Sequence, residues 1–218
     1  MKTTLKCYKC DAEGVTKEHA PPDSFFPKGY RDNLVTVPSC HDHNTKNSKD
    51  VEYVRNVIVT HISTNEAARE HFQNKVIRSF ENSSKLFNRT FKNVRLITLN
   101  GEETGVFNFD LPRFKLVMNA IAHAIFYKDF GKTYPRDWGI ISSSLLSSST
   151  LYEGIPDNWE EYRNQLNQIQ YTEMATPQPE IFRYGVKKWS DEEVIYRFLF
   201  YEGFMVEALA LLHPDDQA

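Results

Sequence analysis

Three cysteines constrain this chain more than any other feature, because their spacing restricts the chemistry that they can share. Cys7 and Cys10 are separated by two residues, and Cys40 is separated by two residues from His43. Each pair can point two ligands at one metal ion, and three cysteines with one histidine complete a tetrahedral zinc site. The sequence therefore predicts structural zinc held by Cys7, Cys10, Cys40 and His43, with His41 as a less favoured substitute for His43.

Three other interpretations of the cysteines are weaker. An odd number of cysteines is a poor disulfide framework, because one thiol is left over. A thioredoxin-like redox pair would place Cys7 and Cys10 at the junction of a strand and a helix, whereas the flanking residues are typical of a hairpin. Buried structural thiols are the remaining alternative. We favour zinc over all of these interpretations.

Length and composition limit the class of protein. The 218 residues allow one domain, or a small module joined to a larger one. Aromatic residues make up 13% of the chain, which is ample for a packed core. No apolar run reaches the ~18–20 residues of a membrane-spanning helix, and the first ten residues lack the apolar stretch of a signal peptide. We expect a soluble cytoplasmic protein.

The segment between the two zinc-binding pairs suggests a chemistry. Glu18 and His19 precede two prolines, Asn33 is followed by Leu-Val, and Asn44 directly follows the second pair. In this order the motifs resemble those of the HNH endonuclease family, over residues 5–56, about a quarter of the chain. The resemblance implies a ββα-metal finger, in which a β-hairpin and a helix surround one metal ion, here with structural zinc beside it.

The resemblance also implies roles for single residues. His19 matches the general base, and a neutral imidazole that titrates near pH 6.5 suits proton removal from an attacking water. Asn33 matches the residue that closes the loop and holds the imidazole, although an asparagine that only forms a turn is an open alternative.

Glu18 and Asn44 match the residues that hold the catalytic cation. A carboxylate and an amide oxygen form a hard site that suits Mg²⁺ or Mn²⁺. Many family members have Asp in place of Glu18 and His in place of Asn44, and both residues of this chain keep a donor atom at the site.

We predict a finger at residues 1–60, followed by an α+β accessory domain at residues 61–218. His123 is expected to be a satisfied core residue rather than a ligand. The residues 194–212 are ambiguous between a helix and a hairpin, and we favour the hairpin. The other predicted elements are helices at 64–92, 112–129 and 157–170, a hairpin at 94–109 and a strand at 181–187.

Charge is distributed unevenly along the chain. The net charge is −3, but residues 61–100 carry a balance of +4 and residues 101–218 a balance of −8. The acidic part would repel a phosphate backbone, so contacts with DNA are expected from the finger and from the basic face of the helix at 64–92.

We therefore expect a metal-dependent HNH endonuclease that hydrolyses DNA phosphodiester bonds, of the kind that serves as effector in anti-phage or restriction systems. One alternative is a catalytically silent zinc module that binds nucleic acid or a protein partner. Another is an effector whose nuclease activity is gated or targeted by a partner protein, which the acidic second part favours.

Overall fold

The computed structural model describes residues 5–99, 101–145, 159–190 and 193–210, and mixes helices with strands as an α+β protein does. The strands in these ranges are β1 Thr16–His19, β2 Thr36–Ser39, β3 Lys92–Leu99, β4 Glu102–Asn108, β5 Trp138–Ile141, β6 Thr172–Met174, β7 Phe182–Lys188, β8 Val194–Phe200 and β9 Phe204–Ala210. The helices are α1 His41–Thr45, α2 Ser48–Val59, α3 Glu66–His71, α4 Arg78–Glu81, α5 Ser84–Thr90, α6 Leu111–Phe130 and α7 Trp159–Gln168.

The first part of the chain is a short antiparallel hairpin followed by two helices. Strands β1 and β2 pair in a register that places Glu18 opposite Val37 and His19 opposite Thr36. The chain then enters α1 at Cys40 and His43, the second pair of predicted zinc ligands, and continues into α2. The second half of α2 is buried on all sides, because every residue from Tyr53 to Val59 is buried, so this helix anchors the hairpin to the core.

Helix α6 occupies the centre of the molecule, where it contacts α2, β2, β5 and β9. Its local sequence explains its ends: the Asp110 side chain accepts a hydrogen bond from the Arg113 backbone N–H, and Gly131 ends the helix with φ of 67°. Arg113 ties α6 to α2 through its Nε and Asp50, 2.5 Å apart. The predicted helix at 112–129 is therefore confirmed.

The five-stranded antiparallel sheet has the order β5-β9-β8-β7-β6 within the described residues. Alternate residues of β8 are buried, namely Val194, Tyr196, Phe198 and Phe200, because successive strand residues face opposite sides of a sheet. The predicted strand at 181–187 and the favoured hairpin within 194–212 are confirmed. So is the hairpin at 94–109, which β3 and β4 form.

The single helix predicted across residues 64–92 is wrong in its continuity. Helix α3 continues through a π-helical segment at Phe72–Ile77 into α4, and the helix is interrupted before α5 begins. The break has a local cause: the Ser83 side chain accepts a hydrogen bond of 3.2 Å from the Leu86 backbone N–H and thereby starts a new helix.

Residues of the first sixty contact later elements directly. The Tyr201 hydroxyl, at the turn between β8 and β9, donates a hydrogen bond of 2.5 Å to the backbone carbonyl of Phe25. The same hydroxyl lies 2.6 Å from Nδ1 of His71 in α3. Phe25 and Phe200 also pack against each other with ring centroids 5.7 Å apart.

Within the described ranges, none of the helices combines the length and the apolarity that crossing a bilayer needs.

Candidate functional site

The four predicted zinc ligands converge on one point. The sulfur atoms of Cys7, Cys10 and Cys40 and a ring nitrogen of His43 all lie within 4.8 Å of one another. Nδ1 of His43 is 3.4 Å from the sulfurs of both Cys7 and Cys40. Tetrahedral zinc, with Zn–S near 2.3 Å and Zn–N near 2.0 Å, separates a sulfur and a nitrogen ligand by about 3.5 Å. These four residues are close enough to bind a metal ion such as zinc.

Backbone hydrogen bonds shape both halves of this cluster. The Cys7 N–H donates to the carbonyl of Ala12 over 2.8 Å and closes the first turn, which an antiparallel bridge between Lys6 and Glu13 flanks. Burial by itself raises the pKa of the Cys7 thiol, but hydrogen bonds from backbone groups at Lys9 and Cys40 lower it to about 6. A thiol that ionises this easily is ready to bind a metal ion.

Next to the cluster, Glu18, His19 and Asn44 line one cavity of about 490 Å³. Tyr8 and His43 line the same cavity, so the metal cluster forms part of its wall. Glu18 and His19 are the last two residues of β1, and Asn44 belongs to α1. Residues that lie far apart in sequence are therefore brought together by the hairpin and by the turn into α1.

Glu18 is held in an environment that disfavours its charge. Its Oε2 atom is buried and has no hydrogen-bond partner among the described residues. Burial, and secondarily the negative charge of Asp23, raise the pKa of the Glu18 carboxyl to about 7. A cation next to Glu18 would offset both effects, because it stabilises the ionised carboxylate.

Asn44 is fixed by a hydrogen bond of 3.2 Å from its Nδ2 to the backbone carbonyl of Lys17. This bond uses the donor end of the amide, which leaves Oδ1 as the end that can bind a cation. Ser24, whose buried Oγ also has no partner in the described ranges, lines the same cavity. Oxygen donors at Glu18, Ser24 and Asn44 are the kind that Mg²⁺ and Mn²⁺ prefer.

His19 is half-buried at the end of β1. Its position is set from both sides, since it pairs with Thr36 and the next N–H, from Ala20, donates to the Val35 carbonyl over 3.0 Å. An imidazole at the edge of a cavity with oxygen donors can accept a proton from a water molecule there.

Asn33 is placed apart from the other predicted site residues. It is exposed, has a backbone φ of 58°, and does not line the cavity that contains Glu18, His19 and Asn44. Asparagine tolerates this left-handed conformation better than most residues, which suits a turn.

Several cavity residues were not anticipated from the sequence. Asn47 directly precedes α2, Glu52 and Arg55 lie within α2, and Asp23 comes from the turn after β1. Asn47 is one helical turn after Asn44 and could have been suspected from that spacing. Arg55 has no such signal, because it lies within a mainly apolar run and only the packing of α2 shows where it is placed.

Comparison with known proteins adds nothing to this geometry: no protein-family model, curated protein or solved structure matches the chain.

Proposed function

We propose that this protein is a metal-dependent endonuclease of the HNH class that hydrolyses DNA phosphodiester bonds. The observation that supports it most is the convergence of Glu18, His19 and Asn44 on one cavity beside the Cys/His cluster. The resemblance to the HNH family assigns chemical roles to the same three residues. Their order on a hairpin followed by helices is consistent with a ββα-metal finger built from β1, β2 and α2.

In this proposal Glu18 and Asn44 hold Mg²⁺ or Mn²⁺, which would supply positive charge to the phosphate and to the leaving oxygen. The buried Oε2 of Glu18, which has no hydrogen-bond partner among the described residues, fits a cation. The Asn44 amide fits one too, because its Nδ2 donates to the Lys17 carbonyl and its Oδ1 remains to bind a cation. The Cys/His cluster would hold zinc and brace the turn from which α1 starts. It has no part in the chemistry.

His19 acts as the general base in the proposal and takes a proton from the attacking water. Its backbone is held at the end of a paired strand, so the residue is positioned at the cavity before the substrate arrives. Asn33 would support the loop between β1 and β2, since its placement outside the cavity does not support direct contact with His19.

Plasmid cleavage tests this function. Purified full-length protein with zinc retained should nick supercoiled plasmid when Mg²⁺ or Mn²⁺ is added, and Glu18→Gln should nick it at least ~10²-fold more slowly. Wild-type protein that never cleaves, yet binds DNA or a partner, would favour the silent zinc module. The exposed position of Asn33 favours this second candidate, because Asn33 lies outside the cavity that contains His19.

The proposal includes a partner protein, a biological role and a cellular location. The acidic balance of residues 101–218 favours an effector that needs a partner protein to reach DNA efficiently. Cleavage that appears only with cell extract from the source of the gene would support such gating. A role in anti-phage defence or restriction, and a cytoplasmic location, follow only from the class of enzyme that we propose.

A further inference from the structure

A buried arginine lies at the wall of the cavity, and its charge is only partly compensated. Arg55 is 3% exposed and lines the cavity. Its Nε and Nη2 donate to the neutral Oδ1 of Asn56, over 3.1 and 2.7 Å. A guanidinium has five donors and keeps its proton, so a single amide oxygen leaves much of its capacity for hydrogen bonding unused.

Two carboxylates that line the cavity with Arg55, those of Glu52 and Asp23, also interact with other cations. Glu52 lies 3.8 Å from Nη2 of Arg55, and also 3.8 Å from Nη2 of Arg89. Asp23 accepts a hydrogen bond of 3.1 Å from Arg31. Because burying a charge is costly unless it is closely paired, Arg55 should have a strong preference for an anion that enters the cavity.

Another part of the cavity wall is apolar. Helix α6 contributes Val117, Ala120, Ile121 and Ala124, which recur at the spacing of one helical face. Most of the polar residues come instead from β1, from the turn after it that holds Asp23 and Ser24, and from α1 and α2. A ligand that combines an anionic group with an apolar surface would match both Arg55 and the face of α6. The volume of about 490 Å³ lies in the range of sites that enclose a small molecule.

We propose that the cavity seats one unpaired nucleotide of a DNA strand, with a phosphate on Arg55 and the sugar and base against α6. This rests on the proposed nuclease function and specifies its substrate as single-stranded or locally unpaired DNA. A base inside a duplex has both faces covered by its neighbours, so it cannot present an apolar face to α6. An unpaired nucleotide can present that face and its phosphate together.

Binding without cleavage tests the proposal. A labelled single-stranded oligothymidylate and a duplex of equal length are titrated with zinc-loaded, full-length protein in the absence of added Mg²⁺ and Mn²⁺, and fluorescence anisotropy is measured. The single strand should bind at least ~10-fold more tightly than the duplex. Equal or tighter binding of the duplex would overturn the proposal.

Two variants probe the two walls. Arg55→Lys keeps the charge but loses the planar donor array, and should weaken single-strand binding ~10-fold. Ala120→Phe should weaken it as well, by filling the space against α6. Leu116→Phe is the matched control, because Leu116 lies one turn earlier on α6, is 40% exposed and does not line the cavity.

The outcomes separate this inference from the nuclease proposal. The inference is supported if wild-type protein prefers the single strand, Ala120→Phe loses this preference and Leu116→Phe keeps it. This holds even if the protein does not cleave DNA. The opposite result is that the protein cleaves plasmid and that neither Arg55→Lys nor Ala120→Phe changes its binding to the single strand. This result would overturn the inference but would still support the nuclease proposal. Zinc content and circular dichroism establish that each variant is folded, and Ala120→Phe decides the result if Arg55→Lys does not fold.

Discussion

The side-chain amide of Asn44 donates a hydrogen bond of 3.2 Å to the backbone carbonyl of Lys17, and so ties α1 to β1. The bond brings a residue that directly follows the second zinc-binding pair next to Glu18. It also links the two sites, because the turn that carries Cys40 and His43 is the turn that places Asn44. Loss of metal from the Cys/His cluster should therefore disturb the cavity as well.

The first prediction distinguishes His43, which belongs to the Cys/His cluster, from His41, which lies between Cys40 and His43 in the sequence. His43→Ala should lose the bound zinc and destabilise the protein by several kcal/mol, or roughly 10 °C in Tm, because metal binding here contributes to folding. His41→Ala should retain about one zinc per chain, since His41 is exposed and outside the cluster. Elemental analysis and thermal melts measure both. Zinc loss in His41→Ala alone would reverse the assignment.

The second prediction concerns pH and the carboxyl of Glu18, whose pKa is raised from 4.5 to about 7 in the metal-free protein. The contribution of neutral Glu18 to stability is present below the unfolded value and is lost as pH rises through about 7. Mg²⁺ needs the carboxylate, so the Tm increase caused by Mg²⁺ should be larger at about pH 8 than at about pH 5.5.

Glu18→Gln is the control for this pH effect. It should remove the Mg²⁺-dependent increase at both pH values and should raise the Tm of metal-free protein at about pH 8. Mg²⁺ stabilisation that is equal in Glu18→Gln and wild-type protein would exclude Glu18 as a ligand. Differential scanning fluorimetry in buffers of matched ionic strength is sufficient.

The third prediction concerns His123, which is buried as expected but is not satisfied. Neither ring nitrogen has a hydrogen-bond partner in the described residues, and Nε2 lies 3.9 Å from the exposed carboxylate of Asp137. Burial lowers the pKa of His123 to about 3. His123→Phe should therefore stabilise the protein by about 1 kcal/mol, because an unpaired polar group leaves the core.

This stabilisation should increase as pH falls from about 6.5, since the unfolded chain takes up a proton that the buried ring refuses. His71→Phe is the contrasting control, because burial lowers its pKa to about 3 as well but its Nδ1 is hydrogen-bonded to Tyr201. We expect His71→Phe to destabilise the protein near pH 7. Thermal melts from about pH 5 to about pH 8 check both variants, and a destabilised His123→Phe would contradict the account.

These results show which features can be predicted from the sequence. Alternation in β8 and the Asp110 and Gly131 ends of α6 are local signals, so those elements were predicted correctly. The convergence of Cys7, Cys10, Cys40 and His43 was predicted because the spacing of metal ligands is itself a geometric requirement. The positions of Asn33 and Arg55 depend on how the β1–β2 loop and α2 pack in three dimensions, and no local pattern encodes them. Ser83 was a local signal that the helical periodicity across 64–92 concealed.

The fourth prediction concerns DNA contacts outside the cavity. Arg78 and Lys85 are exposed on α4 and α5, and substitution of both by Glu should weaken DNA binding and reduce the log–log salt slope by about two. Substitution of Lys187 and Lys188 by Glu is the matched control. Those lysines lie near the Trp189 and Phe130 rings, in the acidic part of the chain, and should matter little. A larger effect of the control would place the DNA-binding surface on the sheet.

The most direct test of the account is the rate of plasmid nicking by His19→Ala, measured beside wild-type and His41→Ala protein in Mg²⁺. The account predicts that wild-type and His41→Ala nick supercoiled plasmid at similar rates. His19→Ala should be ~10²–10⁴-fold slower, with unchanged zinc content and Tm, because His19 serves the reaction and not the fold. His19→Ala protein that nicks plasmid at the wild-type rate would contradict the central claim.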